Sequence, residues 1–257
     1  MIDSVSRILS QTYKSICMLR RNSFRLTDVL IWPILYLFTL TFFVTYLGSD
    51  QSYLYMIILG MMGWRVMYLL NQEMVTSLTE EYWSKSLAHL FASPITRMEF
   101  AIGSAISGII KSLAVLALYL VLTYFIYGFT VPDIGIFILG IFFLALFGFT
   151  MGFFILGFAY FMKEESFNLS FILPDVMALL SGVYFSIDKV YPGWLLPFIR
   201  LLPTTQAFEL LKSSVGLGHP DMPMLFITGI AWLVIAYVFN GFMYEKSRKE
   251  GRLARLG

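Results

Sequence analysis

The chain has little of what most catalytic sites are built from. It carries one cysteine, Cys17, so no intrachain disulfide and no thiolate metal cage is available. Its two histidines, His89 and His219, fall outside the long apolar runs. No serine within a run has a histidine partner there, no H-E-x-x-H pair occurs, and no acidic cluster is placed to hold a metal. An intramembrane enzyme is therefore a weak reading. The phosphate-cradling G-x-x-x-x-G-K-[ST] loop is also missing, so no ATP or Mg²⁺ site of that kind is expected in this chain. Charge is scarce as well. Asp, Glu, Lys and Arg make up 13% of residues, against ~25% in a soluble domain.

Apolar runs take the place of charge. Six of them fall at Leu26–Leu47, Tyr53–Met74, Ala101–Tyr127, Ile134–Met162, Phe167–Ile187 and Met222–Tyr244. Each reaches the roughly 20 residues a helix needs to cross a hydrocarbon core of ~30 Å. Backbone groups in lipid must be bonded internally, which leaves helical bundles or closed barrels. The runs are continuous rather than alternating, and that selects helices. The expected fold is all-α and polytopic: one transmembrane domain over residues 1–257, with an amphipathic segment at 1–25, a six-helix bundle at 26–244 and a basic tail at 245–257.

Lys and Arg flank the runs asymmetrically. Arg7, Lys14, Arg20, Arg21, Arg25, Lys85, Arg97, Lys163, Lys246, Arg248, Lys249, Arg252 and Arg255 fall on one side, and only Lys189, Arg200 and Lys212 on the other. The positive side faces the cytoplasm, so both termini are expected there, in a cell membrane. The first 25 residues lack the apolar core and cleavage site of a signal peptide. Ile2, Val5, Leu9, Tyr13 and Ile16 recur instead at helical spacing. That pattern predicts a basic amphipathic helix lying in the lipid interface; the plainer alternative is a solvated leader that sets topology.

Two connections are long. The cytoplasmic one, Ser77–Phe100, places Trp83, Leu87, Leu90 and Phe91 on one helical stripe and Glu81, Lys85 and His89 on another, with a favourable Glu81–Lys85 pair. Ser93-Pro94 ends that helix. A helix lying on the membrane is the alternative. The external connection, Asp188–Asp221, holds apolar pieces such as Trp194–Leu202 that are too short to cross. They read as a re-entrant or capping segment, followed by a short helix over Thr204–Ser214.

The stretch Leu90-Phe-Ala-Ser-Pro-Ile-Thr-Arg97, with Glu99 and Gly103 behind it, resembles the cytoplasmic loop of ABC-2 type permeases. Leu180-Ser-Gly-Val-Tyr-Phe185, then Trp194 and Leu202-Pro-Thr204, is similar to the final third of the same family. Six spans and the amphipathic N-terminal helix complete the resemblance along the chain. It departs at Glu80-Glu81-Tyr82-Trp83-Ser84-Lys85, which lacks the glycine that follows the acidic pair in many members. The resemblance implies that the Glu80–Pro94 helix is a coupling helix, with Glu80, Glu81, Trp83, Lys85, Leu87, Leu90, Phe91 and Pro94 meeting a separate ABC-type ATPase. That subunit would bind the ATP and Mg²⁺. The resemblance also implies a second permease copy, membrane lipid around the pair, no nucleic-acid partner, and export as the activity. A stand-alone channel or secondary transporter is the competing class. It would predict discontinuous helices at mid-membrane and leaves the amphipathic loop unexplained.

Charges inside the runs are costly and point to function or pairing. Arg65, Glu73 and Asp175 are candidates for a polar relay beside the translocation path. Ion pairs within one subunit are the structural alternative. Lys111 sits near a span end and is expected to snorkel. Gly148 and Gly152 form a G-x-x-x-G that permits close helix contact.

Overall fold

The computed structural model describes residues 2–21, 23–48, 50–162 and 165–251. Lys163, Arg252 and Arg255 of the charge argument, and the side chain of Phe91, lie outside the described residues. Among the described residues there are helices and no strands: α1 (Ile2–Arg21), α2 (Ser23–Tyr46), α3 (Gln51–Trp83), α4 (Leu87–Ala92), α5 (Arg97–Tyr127), α6 (Ile134–Met162), α7 (Ser166–Leu180), α8 (Ile187–Val190), α9 (Leu196–Arg200), α10 (Pro203–Ser213) and α11 (Met222–Lys249). The chain is a multi-pass membrane protein. α1, α4 and the C-terminal end of α11 share one end of the bundle, the α4 end. The turns after α7 and the helix α10 lie at the other.

α3 is the central post. It packs on α2, α5, α6, α7 and α10, and its 33 residues span about 50 Å. The predicted second span therefore continues unbroken to Trp83, well past a ~30 Å core. Two hydrophobic cores stack along it. One joins Leu59, Met62 and Val66 to Leu144, Phe147, Phe208 and Leu211. The other, toward the α4 end, joins Met74 and Leu78 to Leu87, Phe100, Phe153 and Tyr160. The G-x-x-x-G of α6 lies against α3: a Cβ on Gly148 would sit 2.6 Å from the Met67 carbonyl oxygen.

The predicted fifth span, Phe167–Ile187, is drawn too long. α7 has 15 residues, about 22 Å, and it ends at Leu180. Gly182 takes φ +62°, the left-handed geometry that glycine adopts without penalty, and turns the chain. The Val183 N–H then bonds back to the Ala178 carbonyl at 3.2 Å. Among the described residues, five helices (in α2, α3, α5, α6 and α11) are long and apolar enough to cross a membrane, and α7 is a shorter apolar helix.

Pro174 within α7 shows how such a bundle balances its backbone. Proline has no N–H, so the carbonyl of Ser170, one turn back, loses its helical donor. Asn71 of α3 replaces it, donating from Nδ2 at 2.8 Å. Asn71→Leu is expected to cost about 1–3 kcal/mol by leaving that carbonyl unpaired away from water. Adding Pro174→Ala gives the carbonyl its own N–H again, so the double variant should recover most of the loss in thermal unfolding in detergent. Equal losses in the single and double variants would refute the pairing.

Candidate coupling face and intramembrane charges

The predicted Glu80–Pro94 helix is two pieces. Glu80, Glu81 and Trp83 close α3, whereas Leu87 and Leu90 belong to the six-residue α4. Between them the chain closes α3 with a Schellman turn. Ser86 N–H bonds to the Glu81 carbonyl and Lys85 N–H to the Tyr82 carbonyl, both at 3.0 Å. Lys85 itself takes φ +56°, at the place where a glycine ordinarily stands. The break rotates α4 away from the α3 register. The expected Glu81–Lys85 pair does not form, and the Trp83–Leu87–Leu90 stripe is interrupted.

α4 is anchored from below and open above. Leu87 is buried among Met74, Leu78 and Phe100. Lys85, Ala88, His89, Ala92, Ser93 and Pro94 are exposed, and Trp83 is exposed beside them. Behind α4, Thr96 and Glu99 start α5 with a reciprocal capping box: the Glu99 N–H donates to Thr96 Oγ1 at 3.2 Å, and the Thr96 N–H to Glu99 Oε2 at 2.8 Å. This pattern, T-x-x-E, was readable in the sequence as a helix start. The α4 knob is thus held between a closed helix end and a capped helix start.

α1 straps this assembly with its polar side. Arg7 pairs with Glu99 at 2.7 Å, Lys14 pairs with Glu81, and Arg25, just beyond α1, meets Glu80 at 2.6 Å. Glu80 and Glu81 are therefore largely occupied from within the chain. Gln11 donates to Ser104 Oγ at 3.1 Å and Thr12 to the Gly103 carbonyl at 2.9 Å. Burial pushes the Lys14 ammonium down, and the nearby Glu80 opposes that. Val5, Leu9 and Tyr13, one turn apart, remain exposed. The apolar stripe read in the sequence is real as a pattern, and it faces away from the protein. A groove of about 370 Å³ runs between the two helices, bordered by Ser10, Lys14, Glu81, His89, Leu90 and Pro94.

The structure does not bring Arg65, Glu73 and Asp175 together. Arg65 and Glu73 are eight residues apart on α3, about 12 Å along its axis, and each has its own partner. Arg65 donates to the Asp28 carbonyl, lies 3.6 Å from the Asp28 carboxylate, and rests over the Tyr68 ring at 5.1 Å. Glu73 pairs with Lys111 and accepts from Ser107 Oγ at 3.2 Å. Lys111 is buried in that pair and does not snorkel. Asp175 is exposed on α7 and makes no ion pair among the described residues. The partners Asp28 and Lys111 were invisible in the sequence because they come from other helices.

At the opposite end, Lys212 of α10 is 1% exposed. It donates to the Gly182 carbonyl at 2.7 Å, to the Phe185 carbonyl at 3.2 Å and to Glu209 at 3.1 Å. Burial pushes this ammonium down while Glu209 opposes. One cation thereby gathers the turn after α7 onto α10. α10 in turn lies against α6, α11 and α3, with Phe208 and Leu211 fully buried. The sequence's short helix over Thr204–Ser214 is this element, and it is an inner part of the bundle. Beside it, α8, α9 and α10 border a cavity of about 760 Å³ lined by Asp188, Arg200, Glu209, His219 and Asp221.

Two comparisons bear on this arrangement. A family model described as ABC-2 type transporter matches residues 7–215, from the α1 strap through α10. No curated protein matches the chain.

Proposed function

The chain belongs to the ABC-2 type transporter family, and from that premise we propose that it is the membrane subunit of an exporter driven by a separate ABC-type ATPase. One observation carries the reading: the exposed knob from Ser84 to Pro94, rigidly tied to two membrane-crossing helices. A force applied at His89 or Pro94 passes through buried Leu87 into the core shared by α3, α5 and α6. It also passes through the Thr96–Glu99 box into α5. The contact residues are then Lys85, His89, Leu90 and Pro94, with Trp83 at the margin, while Glu80, Glu81 and Leu87 hold the knob in place. ATP and Mg²⁺ are bound by the partner.

In this reading the α4 end faces the cytoplasm and both termini lie on that side of the cell membrane. The exposed Val5–Leu9–Tyr13 stripe rests in the lipid interface. A second copy of the chain completes the translocation path: half-buried Asp28, Gln72, Thr76 and Glu80 of α2 and α3 line a chamber of about 260 Å³ beside Phe167 and Phe171 of α7.

Crosslinking tests the reading. Cys17→Ser removes the only thiol, and His89→Cys then places one on the knob. Co-expressed with the ABC-type ATPases of the source genome and treated with a short bis-maleimide, this variant is expected to capture one ATPase. Leu9→Cys, on the face of α1 turned away from the protein, is expected to capture none. Absence of any ATPase adduct from position 89 would overturn the assignment.

A further inference from the structure

Five aromatic rings form a continuous row where α3 meets α7. Trp64 stacks on Tyr68 with centroids 4.9 Å apart, and Tyr68 meets Phe171 at 6.2 Å. Phe171 meets Phe167 edge-on at 4.9 Å, and Phe167 meets Trp83 at 5.4 Å. Tyr68 alone is buried; Trp64, Phe167 and Phe171 are half-buried and Trp83 is exposed. Four of the five rings are therefore open to a ligand from outside the chain.

A carboxyl group extends the row. Phe167, Phe171 and Asp175 follow at i, i+4 and i+8 on α7, which places them along one face. Asp175 is exposed and has no hydrogen bond or ion pair with a described residue. The other carboxylates on this side are already compensated: Asp28 by Arg65, Glu73 by Lys111 and Glu80 by Arg25. Asp28, Glu73, Lys111, Glu80 and Arg25 of these pairs line a chamber of about 260 Å³ together with Phe167, Phe171 and Trp83. The chamber is electrically balanced, so the uncompensated charge beside the ring row is Asp175.

We propose that the Trp64–Tyr68–Phe171–Phe167–Trp83 row and Asp175 form a binding site for a lipophilic organic cation. Ring faces attract a cation through their quadrupole. An unpaired carboxylate at membrane depth attracts it further, because the surroundings screen charge poorly. An anion of the same shape is disfavoured by both. Aromatic bulk on the ligand matches the row, and its charge matches Asp175. The proposal rests on the export reading only in treating the occupant as cargo. Its test needs no ATPase, so failure here leaves the coupling account standing, and failure of the coupling account leaves this site standing.

The probes are tetraphenylphosphonium and tetraphenylborate, which share a shape and differ in sign. Binding of each to the full chain in detergent is measured by equilibrium dialysis, with the fluorescence change lost on Trp64→Phe, Trp83→Phe substitution as a second readout, since three further tryptophans also emit. Saturable phosphonium binding is expected. Asp175→Asn is expected to weaken it roughly tenfold and to strengthen borate binding, whereas Asp175→Glu retains the wild-type preference. Phe171→Ala is expected to weaken phosphonium binding with Asp175 intact. Asp175 makes no hydrogen bond or ion pair among the described residues, so its variants are expected to fold, and an unchanged elution profile verifies it. Phosphonium binding unaffected by Asp175→Asn would overturn the proposal. So would borate binding as tight as that of the phosphonium, or loss of a dimer in Asp175→Asn with cation affinity intact, which would make the carboxyl a contact between copies.

Discussion

Gly148→Leu is expected to prevent the chain from reaching a folded, monodisperse state in detergent. α6 approaches α3 so closely at this point that a Cβ on Gly148 would lie 2.6 Å from the Met67 carbonyl oxygen and 3.0 Å from Met67 Cα. Those are backbone atoms and cannot rotate aside. The helices must separate, and α3 and α6 carry the largest shared interface of the bundle. Overpacking of ordinary cores costs about 1–3 kcal/mol, and a rigid backbone clash with a branched side chain exceeds that range. Gly135→Ala supplies the control on the same helix, because a Cβ there meets only Asp133 Oδ1 at 3.4 Å. Its elution and melting should match those of the wild type. A folded, wild-type-like Gly148→Leu protein would mean that α3 and α6 are not packed this way.

The second large effect concerns the buried Lys111–Glu73 pair. Lys111→Met removes the cation and leaves the Glu73 carboxylate in a site where both side chains are under 10% exposed. Breaking a buried pair from one side costs about 3–5 kcal/mol, while replacing both partners with apolar residues is often neutral or stabilising. At roughly 2–4 °C per kcal/mol for a domain of this size, Lys111→Met should lower the apparent melting temperature by about 10 °C. The Glu73→Leu, Lys111→Met double variant should return near the wild-type value and still export. Folded double variant without export would show that the pair takes part in transport, as the relay envisaged from the sequence would require. The geometry favours a structural role, because Arg65 and Asp175 are not in contact with it.

The membrane-crossing architecture was largely legible in the sequence, since lipid imposes length and composition on each span. α2, α5, α6 and α11 lie close to the apolar runs that announced them. The strap was legible too, as a periodicity of Val5, Leu9 and Tyr13, but the sequence could not say that its polar face would grip the protein. Three features were hidden, each for a physical reason. The break at Lys85 is a left-handed residue without the glycine that would have marked it, so the end of α3 and the short α4 read as one helix. The end of α7 comes at Ser181-Gly182 within a run that stays apolar to Ile187, so hydropathy overshot it. The carboxylate and ammonium partners of Arg65 and Glu73, and the Gly182 and Phe185 carbonyls that hold Lys212, come from other helices or from turns distant in the chain, and single-helix periodicity carries no information about them. Of the residues assigned to coupling, Lys85 and Pro94 are exposed, as is the neighbouring His89, and Leu90 is half-buried. Glu80, Glu81 and Leu87 turn out to be internal supports.

The most direct test of the account is ATP hydrolysis by the captured ATPase in proteoliposomes, measured alone, with the wild-type chain, and with a chain whose residues 87–92 are replaced by a glycine-serine stretch. The account predicts that the wild-type chain changes the turnover severalfold and that the replaced chain, still folded and inserted, leaves it at the value of the ATPase alone. Equal turnover with the wild-type and replaced chains would contradict it.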